Sequence, residues 1–343
     1  MRSLLKYLSP FAPDLAGAVS VLFELDGMIV ICDAGGCTGN ICGFDEPRWF
    51  TRKSALFSAG LRDMDAILGR DRQLADKLVA AARTGDRKFM AVIGSPVPAV
   101  IATDFPALQR MCSKVLDIPV MAMEASGTKY YETGASQAYM SLFKTFAVEH
   151  LPVKPGTIGV LGVTPLDYST LEAGKLVKSQ ITGDVRVYGM DCMLEDVAKA
   201  AEAEKNIVVS PAGIKAAEYL KNKFNTPYEI AAPGIADAVC IPELSGKKVL
   251  IVHQVFAAEE LKKNILSQYP DAVVETGSFF NALSKNADHK FASEADFRTL
   301  FENKRFDAVF ADKAFERIVR DIHGGCWVDF PHFAVSGKLL EEL

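Results

Sequence analysis

The chain has 343 residues, of which 49% are hydrophobic and 24% are charged, with a formal net charge of −5 at pH 7. This length exceeds one ordinary core and predicts two or three domains of a globular α/β protein. The acidic balance offers no basic surface for nucleic acid, and no apolar run reaches the roughly 18 residues of a membrane helix. Pro10, Pro13 and Asp14 interrupt the N-terminal apolar segment, so we predict a cytoplasmic protein.

The first 150 residues alternate short apolar runs with amphipathic, helix-like patterns. Apolar runs of strand length cover residues 27–32, 88–95 and 118–124. Apolar residues at helical spacing cover residues 70–84, 104–116 and 135–151. Residues 152–156, with two prolines and a glycine, form a linker-like stretch that closes this block.

The same alternation continues through residues 151–245 and 246–343. In the second block a strand at 157–163 precedes a pattern that predicts one helix over 164–180. Apolar strands alternating with helices are typical of parallel sheets covered on both faces. We therefore predict an α/β fold of three Rossmann-like domains, residues 1–150, 151–245 and 246–343, each with a parallel sheet flanked by helices.

Ligands of such sheets bind at the carboxyl ends of the strands, and four small or polar residues are predicted near those ends. These residues are Cys37, Ser95, Ser210 and Cys326. A site shared among the three domains could form where their turns meet.

Three of the seven cysteines, Cys32, Cys37 and Cys42, lie five residues apart on a turn rich in glycine. In a cytoplasmic protein, clustered thiols indicate metal or redox chemistry rather than a disulfide framework. A C-x4-C step can bind an iron–sulfur cluster. Two thiols leave a four-thiolate site incomplete, so Cys32, another residue or a symmetric partner chain would have to supply the rest. Alternatively, Cys32 is a buried, inert thiol, and the other two are small residues on a turn.

Other polar residues are candidates for proton donation. Asp33 lies beside the cysteine turn, where it could donate protons or only bond its own backbone. His323 and Asp329 lie near Cys326 on a glycine-bearing loop, and histidine titrates near neutral pH. The sequence contains no G-x4-GK[ST] phosphate-binding loop, so any ATP hydrolysis must occur on another chain.

Four segments carry a resemblance to the nitrogenase component 1 family. They read GMIVICDAGGCTGN at 27–40, VIGSPVPAV through MAMEASG at 92–127, KNIVVSPAG through NTPYE at 205–229, and FDAVFAD through FAVSG at 306–337. The family includes the nitrogenase α and β subunits, cofactor-assembly scaffolds, and the protochlorophyllide and coenzyme F430-biosynthesis reductases. The resemblance implies that Cys37 occupies a cluster-ligand position, with Gly36 beside it.

The sequence also departs from the family at several ligand positions. It has no cysteine near Phe11, where the first cluster ligand of the family falls, and Ser95 and Ser210 stand where relatives have cysteines. Cys326 and His323 lie close to the position of the family's cofactor histidine. These departures argue against dinitrogen reduction and against an eight-iron cluster. The resemblance instead implies one [4Fe-4S] cluster, held by Cys37 and Cys42 from each chain of a dimer.

The resemblance implies an oxidoreductase subunit that a separate ATP-hydrolysing iron protein reduces. A substrate or second cofactor would bind in the cleft among the domains, with Gly36, Ser95, Ser210 and Cys326 as cofactor-binding residues, and with Gly127 and Thr164 nearby. The subunit could form a homodimer or pair with a sister subunit that carries the missing cysteines. Two alternatives remain: a non-catalytic scaffold for cluster or metallocofactor assembly, and a metal-free binding protein. The substrate is left open.

Overall fold

The computed structural model of the chain describes residues 5–52, 54–237, 239–280 and 286–340. The first of its three sheets contains four parallel strands in the order β2-β1-β3-β4. These strands are β1 (Met28–Ile31), β2 (Ala55–Ser58), β3 (Met90–Ile93) and β4 (Val120–Met123). Every residue of β1 and β3 is buried, because helices cover both faces of the sheet.

The other two sheets are also parallel. The second has the order β6-β5-β7-β8 and the third the order β11-β10-β9-β12-β13. The second contains β5 (Lys154–Leu161), β6 (Asp184–Val187), β7 (Ala203–Val208) and β8 (Tyr228–Ile230). The third contains β9 (Lys248–Val252), β10 (Val273–Ser278), β11 (His289–Lys290), β12 (Ala308–Ala311) and β13 (Cys326–Asp329).

Helices connect the strands and cover the sheets. Around the first sheet they are α1 (Asp14–Leu22), α2 (Gly36–Asn40), α3 (Asp63–Leu68), α4 (Asp71–Ala82), α5 (Pro96–Val100), α6 (Phe105–Ser113) and α7 (Tyr131–Phe146). Around the second they are α8 (Pro165–Tyr168), α9 (Ala173–Gln180), α10 (Leu194–Ala198) and α11 (Ile214–Phe224). Around the third they are α12 (Val255–Gln268), α13 (Glu294–Asn303), α14 (Lys313–Val319) and α15 (Phe333–Ser336).

The predicted fold class, α/β with parallel sheets flanked by helices, is confirmed. The division into three domains at residues 150 and 245 stays a prediction. In each sheet the strand that comes first in the chain lies inside the sheet: β1 between β2 and β3, β5 between β6 and β7, and β9 between β10 and β12. The later strands therefore add first on one side and then on the other side of β1, β5 and β9, and the strand order reverses at these positions. The carboxyl ends of strands at such positions are the usual ligand sites of open α/β sheets.

The helix predicted over residues 164–180 is wrong, because the chain forms two helices there, α8 and α9. Ser169 interrupts them with a left-handed backbone, φ 55°. Its hydroxyl oxygen accepts a hydrogen bond from the Phe333 nitrogen at 2.8 Å, and its carbonyl accepts one from Leu340 at 2.7 Å. These tertiary contacts with the C-terminal segment compensate for the break in the helix.

Helices α1 and α7 pack closely against each other. A Cβ atom on Gly17 would collide with the carbonyl oxygen of Tyr131, and one on Gly134 would collide with that of Asp14. Glycine at these two positions therefore allows direct backbone contact between the helices. Within the described ranges, none of the helices combines the length and apolar character that crossing a bilayer demands.

Candidate functional site

The cysteine turn follows β1 and is ordered by one buried carboxylate. Asp33 is 1% exposed, and it accepts hydrogen bonds from the Thr38 nitrogen at 2.8 Å, the Thr38 hydroxyl at 3.0 Å and the Ser58 hydroxyl at 2.6 Å. The bond to Ser58 links the turn to the end of β2. Gly35 allows the sharp entry to the turn, since its φ of 120° is accessible mainly to glycine. Asp33 therefore positions the turn.

Two thiols of the turn are partly exposed. Cys37 lies on α2, and Cys42 lies on the π-helical turn that follows over Ile41–Asp45. π-Helical turns are rare in proteins and are frequently found at functional sites. Burial and the nearby Asp33 carboxylate raise the pKa of Cys37. Burial also raises the pKa of Cys42. Both groups are therefore neutral thiols at pH 7 unless a metal displaces the proton.

Cys32 lies apart from these two thiols. It is fully buried with Met28 and Val30 in the apolar layer that contains Cys112, and burial raises its pKa to about 12. Among the described residues, no three histidine, cysteine, aspartate or glutamate side chains form a group that could hold a metal ion. The structure thus brings Cys37 and Cys42 onto one turn and buries Cys32 in an apolar layer, and the ligand role predicted for Cys32 stays a prediction.

Ser95 and Gly36 flank the turn. The Ser95 hydroxyl is buried and donates a hydrogen bond to the Cys32 carbonyl oxygen at 2.7 Å, which joins the end of β3 to the end of β1. Gly36 has open space around it, because a Cβ there would meet no atom within 4 Å. The cofactor-binding roles predicted for Ser95 and Gly36 stay predictions.

Arg48 fixes the far end of the turn. It is 1% exposed and forms ion pairs with Glu46 at 2.6 Å and with Glu24 at 2.9 Å. It also donates to the Ser20 carbonyl oxygen of α1 at 2.7 Å. These partners raise the pKa of Arg48 despite its burial. Arg48 is therefore a packing residue that joins this region to α1.

Large apolar side chains are exposed around the turn, in β2 and on the segments after β2 and β3. Phe44 and Phe50 of the turn region are each 73% exposed, and Val100 of α5 is 85% exposed. Phe57, Met64 and Ile67 add 40%, 48% and 72% exposure. Of these six residues, Phe44 and Phe50 line one solvent-open cleft together, and exposed aromatic rings on one surface are typical of a site that a partner covers.

Where the three sheets approach one another, a chain of buried polar groups crosses between them. The Tyr131 hydroxyl donates to Asp167 at 2.7 Å and lies 3.1 Å from Nε2 of His332. The Thr164 hydroxyl donates to the second Asp167 oxygen at 3.1 Å. Burial raises the pKa of Asp167 to about 7. This hydrogen-bonded series could not be predicted from residue spacing, because Tyr131 is 36 residues from Asp167 and 201 residues from His332.

Aromatic rings fill the remainder of this junction. The ring of His253 stacks on His332 with a centroid distance of 4.1 Å, and Phe280 lies 4.8 Å from His332 and 5.3 Å from Tyr131. Burial lowers the pKa of His253 to about 4. Ser210 is fully buried here. The structure places Ser210 and Thr164 in packed interior rather than along an open cleft.

Three predicted site residues lie at the third sheet, Asp329 at the carboxyl ends of its strands and Cys326 and His323 at their amino ends. Asp329 ends β13 at the carboxyl edge, where it accepts a hydrogen bond from the Lys313 nitrogen at 2.8 Å. Cys326 instead begins β13, paired with Ala308, so the expectation that it lies near the carboxyl ends is wrong. Strand β13 is four residues long, so its two ends are roughly 10 Å apart. His323 lies beside Cys326, and burial lowers its pKa.

Two large clefts are open to solvent. One, of about 850 Å³, adjoins the cysteine turn and is lined by residues of the turn, by residues 9–13 and by residues 333–337. Its aromatic lining includes Phe11, Phe44 and Phe50, and Gly127 contributes to its wall. The other, of about 940 Å³, lies at the amino edge of the third sheet and contains His323 and Cys326.

The nitrogenase component 1 type oxidoreductase model matches residues 13–234, which is more than half of the chain. The chain belongs to this family. Its members generally bind iron–sulfur clusters and work with an iron protein in multi-subunit assemblies. The cysteine turn, Ser95 and Ser210 all fall inside the matched range of this component 1 chain. Residues 235–343 lie outside it.

Solved structures support the same fold for this component 1 chain over nearly its whole length. It resembles nitrogenase Cp1 at pH 6.5 with a TM-score of 0.71 and 12% identity, covering 96% of this chain and 88% of the other. It resembles nitrogenase Cp1 at pH 5 with a TM-score of 0.61 and 16% identity, covering 97% and 78%. At these identities the likeness extends to fold alone. No curated protein matched the sequence.

Proposed function

We propose that this component 1 chain is the catalytic subunit of a nitrogenase-like reductase, in which Cys37 and Cys42 ligate an iron–sulfur cluster at a subunit interface. The observation that carries the proposal is the pair of partly exposed thiols on a turn that buried Asp33 and Arg48 hold in place. The exposed rings of Phe44 and Phe50, which line the cleft beside that turn, support an interface there.

The residues present fit half of a four-thiolate cluster site. Each chain offers two accessible thiols on the turn, and two chains related by a two-fold axis would offer four. A [4Fe-4S] cluster bound there would supply one-electron transfer. The chain's own contribution is to orient the thiols through Asp33 and to release their protons when the metal binds. A sister subunit with its own cysteines would complete the site equally well.

The proposed reaction also requires a source of electrons. The sequence has no G-x4-GK[ST] loop, so an ATP-hydrolysing iron protein would have to supply the electrons from outside the chain. The substrate would bind in the 850 Å³ cleft, which adjoins the turn and has the size of ordinary small-molecule sites. The junction near Ser210 is a poorer candidate, because aromatic side chains fill it.

The test is the EPR spectrum of anaerobically purified, dithionite-reduced protein and of three variants. Cys37→Ala and Cys42→Ala should each abolish or strongly reduce a [4Fe-4S]⁺ signal. Cys240→Ala is the matched control, since Cys240 is an exposed thiol far along the chain from the turn, and it should leave the signal unchanged. A full signal from either turn variant would overturn the assignment.

An assembly scaffold is the second candidate. The position of the turn on an exposed face favours it, because a scaffold must release its cargo to another protein. Turnover with an iron protein, ATP and dithionite separates the two functions. A reductase continues to turn over, whereas a scaffold transfers its cluster once and stops. Protein that stays free of iron after anaerobic reconstitution would instead favour a metal-free binding protein.

A further inference from the structure

A small cleft at the carboxyl edge of the third sheet has a strongly basic rim. It has a volume of about 210 Å³ and lies where β12 and β13 end. Four cationic side chains line it: Lys313, Arg317, Arg320 and Lys338. Two carboxylates, Asp312 and Asp329, also line it. We call this cleft the basic pocket.

The carboxylates of the basic pocket are already engaged by donors of the fold. Asp312 is 2% exposed and accepts hydrogen bonds from the nitrogens of Ala314 at 2.8 Å and His332 at 3.0 Å, and from the Ser336 hydroxyl at 2.6 Å. Asp329 accepts a hydrogen bond from the Lys313 nitrogen at 2.8 Å. These bonds hold α14 and α15 against the strand ends, so the two carboxylates stabilise the fold.

The cations are only partly engaged. Burial raises the pKa of Asp312 and of Asp329, and the charge of Lys338 opposes that rise. Lys313 pairs with Glu316 at 2.9 Å. Over the described residues, Arg317, Arg320 and Lys338 form no ion pair, and all three are exposed. Arg48, Arg186 and Arg298, in contrast, each contact a carboxylate at 2.9 Å or less. With Glu316 counted, four positive charges face three carboxylates, so the basic pocket keeps a net positive charge.

We propose that the basic pocket binds a small oxyanion of the phosphate type, either free or as the phosphate group of a metabolite. Two arginines offer planar donor pairs that match the geometry of phosphate oxygens. The pocket is concave and small, which suits one anionic group better than the acidic surface of a protein. Ser9, Val335 and Ser336 line both the basic pocket and the 850 Å³ cleft, so an anion bound here lies beside that cleft.

The test is calorimetric titration of the full-length protein with sodium phosphate, against sodium chloride at matched ionic strength. Arg317→Ala and Arg320→Ala should each weaken phosphate binding by about tenfold, the loss expected for a charged hydrogen bond. Arg110→Ala is the matched control, because Arg110 is an exposed arginine of α6 on the first sheet, and it should bind phosphate normally. A glycerol phosphate titration then distinguishes a metabolite's phosphate group from the free ion.

Several outcomes would overturn this assignment. They are phosphate binding no stronger than chloride binding, unchanged affinity in both arginine variants, or preferential binding of a poly-glutamate peptide lost in those variants. Thermal unfolding of each variant, with Arg317→Gln as a milder change, separates lost binding from lost folding. The iron content of the arginine variants should equal that of the unchanged protein. A failure of the phosphate proposal can therefore be told apart from a failure of the proposed cluster site.

Discussion

The carboxylate of Asp33 accepts two hydrogen bonds from Thr38, one from its backbone nitrogen at 2.8 Å and one from its hydroxyl at 3.0 Å. The contact spans the segment that carries Cys37, so the position of that thiol depends on a residue buried at the end of β1. Asp33 is thus a positioning residue. Proton donation, the other role considered for it from the sequence, stays a prediction.

Asp33→Ala should destabilise the protein and loosen the turn. Thr38 and Ser58 would lose a charged acceptor in a partly buried setting, and a hydrogen bond to a charged group contributes about 1.5–3 kcal/mol to the unfolding free energy. Urea unfolding measures the loss, and Asp33→Asn, which retains one acceptor oxygen, should lose less. A role limited to proton donation predicts the opposite pattern, with normal stability and iron content but reduced turnover.

Arg48→Ala should be among the more damaging single changes in this region. It leaves Glu46 and Glu24 without their buried partner, and breaking such a pair costs about 3–5 kcal/mol. Arg52→Ala is the matched control, because Arg52 also pairs with Glu24 but is 39% exposed, so its loss should cost less than about 1 kcal/mol. Equal losses from the two variants would contradict the anchoring role of Arg48.

Much of the fold could be predicted because parallel strands buried on both faces read as continuous apolar runs. The runs at 27–32 and 88–95 contain β1 and β3, and the pattern at 70–84 contains α4. The break at Ser169 was missed because contacts with Phe333 and Leu340, far along the chain, cause it. The local sequence pattern carries no information about contacts with such distant residues.

The candidate site could also be predicted only where the sequence signal was local. The glycine-rich spacing around Cys37 and Cys42 pointed to their shared turn, since the signal was local. Cys326 was misplaced because β13 is only partly buried and lacks a continuous apolar run, so the start of the strand went unrecognised. The hydrogen-bonded chain from Asp167 through Tyr131 to His332 depends on packing among three sheets, which residue spacing does not encode.

Gly17→Ala should disrupt the packing of α1 on α7. The added methyl group would collide with backbone atoms of Tyr131, and overpacking of this kind costs about 1–3 kcal/mol or more. Gly39→Ala is the control, since a Cβ there meets nothing within 4 Å and alanine favours helix. Thermal melts of both variants make the comparison. Equal stability of the two would show that α1 and α7 do not pack as described.

The stability of the protein should depend on pH through His253. Burial holds the pKa of His253 at about 4 in the folded state, below its ordinary 6.5, so unfolding takes up a proton between these values. The contribution of neutral His253 is complete above about pH 6.5. As pH falls towards 4, about 3 kcal/mol of it is lost.

The measurement is the difference in unfolding free energy between the wild type and His253→Gln from pH 4 to 8. Asp167, whose pKa is raised to about 7, acts in the opposite direction, and so its effect must be removed by subtraction. His332, which stacks on His253, is retained in both proteins. The wild-type advantage should shrink as the solution becomes more acidic. A difference that is constant across this range would contradict the burial of neutral His253.

The most direct test of the central claim is the amount of iron and acid-labile sulfide per chain, measured with the molecular mass on protein purified without oxygen. The account predicts about two irons and two sulfides per chain in a dimer, half of a [4Fe-4S] cluster from each pair of turn cysteines. Full iron content in a Cys37→Ala/Cys42→Ala double variant would contradict it, as would iron-free wild-type protein after anaerobic reconstitution with its partner subunit.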